Sequence, residues 1–272
     1  MTTNIGFIGA GNMASSLIGG LIENGLAASH LYVYDPNQAK VENLAAELGL
    51  HACSSNAEVI ENSQIVVLAI KPQIMQQVVL PLAASFAQSK PLIMSVVAGI
   101  RVSSIQHWLE YNHAVVRVMP NTPALVGCGA SGLFASTSVT ESQKDEAEKL
   151  MQAVGICEWV EQEADIDAVT ALSGSGPAYF MLFIECLVNA ASKAGLDRDS
   201  ALRLAVQTAA GAAELISRSD EPLSTLIDNV TSPGGTTEQA LLAFEGAQLQ
   251  DIVSHAFAAA KNRSEQLANE LA

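Results

Sequence analysis

"IGFIGAGNMASSL", residues 5 to 17, decides how the chain folds. The run Ile5-Gly-Phe-Ile8 has strand character, and Gly9-Ala10-Gly11-Asn12-Met13-Ala14 follows it at once, ahead of a helical pattern. Strand, glycine turn and helix in that order form the G-x-G-x-x-A variant of the dinucleotide fingerprint. Gly9 permits the tight turn, Gly11 leaves room for a pyrophosphate over the helix N-terminus, and Ala14 lets helix and strand pack closely. Asn12 and Met13 open the helix on the same phosphate-binding turn. Asp35 ends the next strand, roughly 20 residues further on, where an acid accepts hydrogen bonds from the adenosine ribose hydroxyls. That placement favours NADH, because Asp35 would repel the 2′-phosphate of NADPH unless a cation such as Lys40 intervened. The plainer reading makes Asp35 the cap of the helix that "DPN" begins.

Outward from this unit the rhythm repeats. "NIGFIG", "LYVYD", "QIVVLAI", "PLIMSVVAG" and "HAVVRVMP" are strand-length runs, separated in part by helical patterns at 13–24, 38–48, 55–62 and 73–86. The alternation predicts βαβ units whose apolar strands form a parallel sheet covered on both faces. "GLFAS" and "CEWVE" add two strands around a helix whose start, Thr140-Glu-Ser-Gln143, has the spacing of a capping box. Beyond about Val160 the strand signal stops, and helices are expected at 165–169, 175–193, 199–218, 223–229, 236–245 and 249–271. The expected fold is therefore α/β: a Rossmann-type, doubly wound, mostly parallel sheet over 1–162, followed by an all-α domain over 163–272. The stretch "FMLFIECLVNAA", Phe180 to Ala191, is too apolar for one helix of so small a domain and calls for cover by a partner subunit. It predicts an obligate dimer, with each active site between a Rossmann domain and a helical domain.

A hydrophobic content of 49% over 272 residues fills one or two substantial cores. The formal charge of −15, with 13 basic residues and no basic cluster, argues against nucleic acid or acidic lipid as a partner. No uninterrupted apolar run reaches the roughly 18 residues of a membrane span. Met1-Thr2-Thr3-Asn4 leads straight into the first strand, which reads as no export signal. Cys53, Cys128, Cys157 and Cys186 form no Cys-x-x-Cys pair and read as reduced thiols of a cytoplasmic protein. His30, His51, His107, His113 and His255 show no ligand spacing, so no metal is expected.

A second glycine loop, here a Pro-Gly-Gly turn, runs into a helix at "NVTSPGGTTEQALLAFE", residues 229 to 245. Thr236 and Gln239 stand at capping-box spacing there, and unpaired N–H groups at that terminus suit a carboxylate without a dedicated arginine. A helix cap with no ligand would use the same residue types. "GFIGAGNMA", "AIKPQ" (69–73), "SVVAGI" (95–100), "RVMPNTP" (117–123), "DAVTALSGSGPAYF" (167–180) and "DNVTSPGGTTEQAL" (228–241) follow one another along the chain. Together they resemble the pyrroline-5-carboxylate reductase family, whose members move a hydride from NADPH or NADH to the C=N carbon of a cyclic imine carrying a carboxylate.

The resemblance implies roles for particular residues. Thr237 would bring its hydroxyl to the ring nitrogen, while Ser232, Gly235 and Thr236 would line the carboxylate site and Glu163 would lie on the substrate side. Ala69, Lys71, Pro72 and Ala98 would face the nicotinamide side of the cofactor, and Asn56 the adenosine. Dimers through the helical domain, and higher rings such as decamers, are implied as well. Several of these residues have plainer readings: Lys71 as a solvated loop lysine, Asn56 as a helix cap, Glu163 as an exposed acid. Pro120 and Pro123 read as a rigid turn, and Gly174 and Gly176 as positions of close packing. A β-hydroxyacid-type dehydrogenase would need a lysine and an asparagine after the glycine pair, where Phe180 and Ile184 stand. A non-catalytic dinucleotide sensor would have no use for the second loop.

Overall fold

A computed structural model describes residues 3 to 271. Met1 and Thr2, part of the stretch read for an export signal, and Ala272 lie outside the described residues. Eight strands make one sheet: β1 (Ile5–Ile8), β2 (Leu31–Tyr34), β3 (His51–Ala52), β4 (Ile65–Leu68), β5 (Leu92–Ser95), β6 (Val115–Met119), β7 (Gly129–Ala135) and β8 (Gly155–Trp159). Their order is β3-β2-β1-β4-β5-β6-β7-β8, and every pair is parallel except β6 with β7. The chain builds outward from β1 to β3 and then crosses to β4, so β1 and β4 flank the point where winding reverses. Ligands of such sheets bind beyond the carboxyl ends of those two strands.

Alternation along the strands feeds two cores. Ile5 and Phe7 of β1 and Ile65 and Val67 of β4 face a cluster with α1 (Asn12–Glu23). Ile8, Val66 and Leu68 face the other way, with α3 (Asn56–Glu61), α4 (Met75–Val79), α5 (Ala83–Ser89) and α6 (Val102–Trp108). The remaining helices around the sheet are α2 (Gln38–Leu48) and α7 (Glu141–Gln152), and α7 starts on the expected capping box of Thr140 and Gln143. The helix expected over 73–86 is instead two short α-helices with 3₁₀ turns at Pro72–Ile74 and Leu80–Leu82. Pro72 and Pro81, lacking N–H groups, fall at the starts of those turns.

From residue 163 onward the described elements are helical: α8 (Asp165–Val169), a π turn (Thr170–Gly174), α9 (Gly176–Lys193), α10 (Arg198–Ser217), α11 (Leu223–Asn229), α12 (Thr236–Gly246) and α13 (Leu249–Glu270). Compactness divides the chain differently from the sequence boundary at 162/163. One unit holds residues up to Ser175 together with those from Ala260 onward, and the other is Gly176–Ala259. The first unit keeps α8 because Asp167, buried there, accepts a 2.6 Å hydrogen bond from Ser264 of α13.

The π turn, closed by Ser175 N–H donating to Thr170 C=O at 2.8 Å, joins segments read from sequence as separate helices. The resulting run Asp165–Lys193 is long and apolar enough to cross a membrane by length and composition alone, although Thr170, Ser173, Gly174 and Ser175 interrupt its apolar residues. In the Gly176–Ala259 unit, the buried residues of α9 to α12 are Gly176, Val188 and Ala201. Phe180, Met181 and Leu182 stand exposed on α9.

Candidate functional site

Beyond β1 the backbone turns at Gly9, whose φ of +100° places it where side chains rarely go. A Cβ there would also meet the Ala69 carbonyl oxygen at 2.6 Å, so glycine is required twice over. Gly11 is the N-cap of α1 with no side-chain cap, and a Cβ on it would meet nothing nearer than Ala69 oxygen at 3.9 Å. The protein thus leaves open space over an uncapped helix N-terminus, as a pyrophosphate needs. Asn12 and Met13 form the first turn of α1, and Ala14 is fully buried against the sheet.

Asp35 fastens this loop. One carboxylate oxygen accepts from Ala10 N–H and the other from Asn37 N–H, both at 2.9 Å. It is therefore not the cap of α2; Asn37 is, accepting from Lys40 N–H. Asp35, Cys53 and Ser54 line a hollow of about 210 Å³ at this end of the sheet. The cap of α3 is Ser55, not Asn56, and Asn56 Oδ1 is buried with no protein partner. A buried acceptor without a protein partner needs a reason, and none of the hydrogen bonds at the start of α3 supplies one.

The nicotinamide-side candidates sit on the carboxyl ends of adjacent strands. Ala69 N–H donates to Ile8 C=O at 2.9 Å, tying the end of β4 to β1. Lys71 is exposed and Pro72 opens the following 3₁₀ turn. Ala98 is exposed in the turn after β5, next to Gly99 with φ +76°.

Glu163 is not the exposed acid of the plain reading. Its Oε1 accepts from Arg117 Nη1 at 3.0 Å and from Val102 N–H at 2.8 Å. Arg117 lies in the middle of β6 and is only 3% exposed. An arginine inside "VVRVM" is itself a sign of a buried acidic partner, and sequence reading passed over it. It also passed over Asn121, which accepts from Ala130 N–H and donates to Ser173 C=O, each at 3.0 Å. "MPNTP" is thus a bridge to the π turn as well as a proline turn. Gly174 packs closely as expected, since a Cβ there would meet Met119 Cε at 2.6 Å, whereas Gly176 has nothing within 4 Å.

In the other unit, the second glycine loop runs from Val230 to α12. Gly234 has φ +72°, and Gly235 N–H donates to Ser232 C=O at 2.9 Å, closing the turn. A Cβ on Gly235 would meet that same oxygen at 2.9 Å. The expected box between Thr236 and Gln239 is not made. Gly235 is the N-cap, Thr236 and Thr237 begin the helix, and Glu238 reaches back so that its Oε2 accepts from Gly234 N–H at 2.8 Å. The box shifts because glycine, not threonine, takes the extended cap conformation. Thr236 and Thr237 N–H groups fall in the first helical turn, where no intrahelical acceptor exists. Ser232 and Thr236 are exposed, and Thr237 is half-buried.

Two family models match this chain: "pyrroline-5-carboxylate reductase dimerisation" over residues 163–267 and "NADP oxidoreductase coenzyme F420-dependent" over 4–99. The pyrroline-5-carboxylate reductase of Pseudomonas aeruginosa is 45% identical over 270 residues, covering 99% of this chain and 98% of that protein. Among solved structures, a pyrroline-5-carboxylate reductase from Coxiella burnetii superposes with a TM-score of 0.95 at 40% identity, covering 98% of this chain and 99% of the other. A Plasmodium falciparum pyrroline carboxylate reductase with NADP bound gives a TM-score of 0.85 at 32% identity, covering 98% of each.

Proposed function

The chain belongs to the pyrroline-5-carboxylate reductase family, and on that premise we propose how its residues divide the reaction. It is an NAD(P)H-dependent oxidoreductase that reduces the C=N bond of 1-pyrroline-5-carboxylate to L-proline. The bound cofactor supplies the hydride, which adds to the imine carbon, while a proton goes to the ring nitrogen. The first glycine loop holds the pyrophosphate by Gly9, Gly11, Asn12 and Met13; Asp35 and Asn56 take the adenosine; Ala69, Lys71, Pro72 and Ala98 border the nicotinamide. The second loop holds the substrate carboxylate on Ser232, Gly235 and Thr236. Glu163 acts from the substrate side, and its Oε2 takes no part in the bonds to Arg117 and Val102.

The observation that carries this division is the uncapped start of α12, with Thr237 in its first turn and no arginine in the loop. A threonine is a weak acid, so Thr237 orients the imine and relays the proton, and most of the rate comes from holding the reactants in geometry. Thr237→Ala therefore lowers kcat by about 100-fold or more, and Thr237→Ser restores most of it. If the residue only shaped the helix start, the alanine variant would lose roughly 1 kcal/mol of stability and keep its kcat.

The helical region self-associates as a dimerisation domain. We propose 163–272 as that functional domain and 1–162 as the cofactor domain, supported by a family match that begins at 163. Assembly beyond the dimer into a ring such as a decamer is proposed on the family resemblance. A cytoplasmic location is supported by the four free cysteines, and the lack of nucleic-acid or membrane partners by the net charge of −15.

A further inference from the structure

Glu238 occupies a donor of the very loop assigned to the substrate's carboxylate. Its Oε2 lies 2.8 Å from Gly234 N, while Gly235 N–H is committed to Ser232 C=O. Of the four successive N–H groups from Gly234 to Thr237, only those of Thr236 and Thr237 remain for an incoming anion. A substrate carboxylate there would share one helix N-terminus with a second carboxylate two positions along. The sequence offsets this with no cation: from Val230 to Phe244 there is no lysine or arginine.

We propose that Glu238 is a specificity-determining residue that competes with the substrate's carboxylate for the second loop and sets the enzyme's affinity for it. The proposal rests on the assignment of that loop to the carboxylate. An acid at this position also stabilises the helix start, so nature of the charge and capping must be separated by experiment.

The separating probe is 1-pyrroline, the same cyclic imine without the carboxylate. The quantity read is the ratio of kcat/KM for 1-pyrroline-5-carboxylate to kcat/KM for 1-pyrroline. Removing one like charge at this range in partly solvated surroundings is worth about three- to tenfold. Glu238→Gln is expected to raise the ratio by that factor, through KM for the carboxylate substrate, and Glu238→Ala moves it in the same direction. A merely structural acid would lower the melting temperature on substitution and leave the ratio where it was, which overturns the proposal. Gly235→Ala, which forces the turn apart at Ser232 oxygen, tests the underlying assignment and is expected to collapse the ratio. A ratio unmoved in the Glu238 variants but collapsed in Gly235→Ala removes the role of Glu238 alone. A ratio unmoved in all three removes the carboxylate site and the proposal with it.

Discussion

Two Thr-x-x-Gln patterns occur in the chain, and only one makes a capping box. At Thr140 both reciprocal bonds form, because Thr140 itself takes the extended cap conformation. At Thr236 a glycine precedes and takes that place, so the pattern slips by one residue and Glu238 reaches back instead. The same lesson holds at Asp35, whose type and position were legible while its bonds to Ala10 and Asn37 were not. Those bonds fix a carboxylate at the position proposed for the adenosine ribose, so NADH is expected to be used at least as well as NADPH. A kcat/KM for NADPH tenfold above that for NADH would show that Lys40 or another cation overrides Asp35. The cysteines give a second residue-level expectation. Burial, with help from the Glu58 carboxylate, pushes the Cys53 thiol up to about 11, and burial with Glu148 and Glu158 does the same for Cys157. Both should resist alkylation at pH 8 while exposed Cys128 reacts. Because the folded pKa is raised, this stabilisation is full below the usual value of 9.0 and is lost as pH climbs from there to about 11. Melting temperature should fall across that window, and less steeply in Cys53→Ala.

Among the elements, those with strong local signals were readable: β1, β2, β4, β5 and β6 as apolar runs, α1 from its glycine turn, and most of α9 to α13 from spacing. Two that were missed owe their form to distant partners. β3 is a two-residue strand held by pairing with β2, too short to show a period. The helix α6 has Arg101 as N-cap with no side-chain cap of its own, and its first N–H, at Val102, is satisfied by Glu163, 61 residues away. No local pattern could reveal a cap supplied by another part of the chain. Glu163 thus carries both a helix start and a buried cation. Glu163→Ala should cost about 2–4 kcal/mol in urea unfolding, since Arg117 is left charged and buried without its partner. Glu163→Gln, which still accepts from Val102, should lose less. Equal losses in the two would mean that the cap contributes nothing and only the charge pairing with Arg117 matters.

At the scale of the whole molecule, the helical region poses a problem that one copy of the chain leaves open. Phe180, Met181 and Leu182 of α9 are 71%, 64% and 65% exposed, and α10 adds Leu204 and Leu215 at 61% and 67%. Fully burying one such side chain contributes about 1.5–3 kcal/mol, so leaving five in water forgoes an amount comparable with the net stability of a domain. A second copy of the chain can cover them, and the dimerisation match over 163–267 names that partner. The expectation is an obligate dimer, in which folding of the helical region and association are one event and the unfolding midpoint rises with protein concentration. Phe180→Glu would place an unpaired charge in the covered surface, at a cost of several kcal/mol if it is fully desolvated. That variant should sediment as a monomer or aggregate, with helical content reduced and reductase activity lost together, while the parallel sheet still binds NADH. Sedimentation of the unmodified chain at low concentration provides the decisive contrast. A species of single-chain mass that retains full helicity and turnover would show that the apolar face tolerates water and that the dimer is optional.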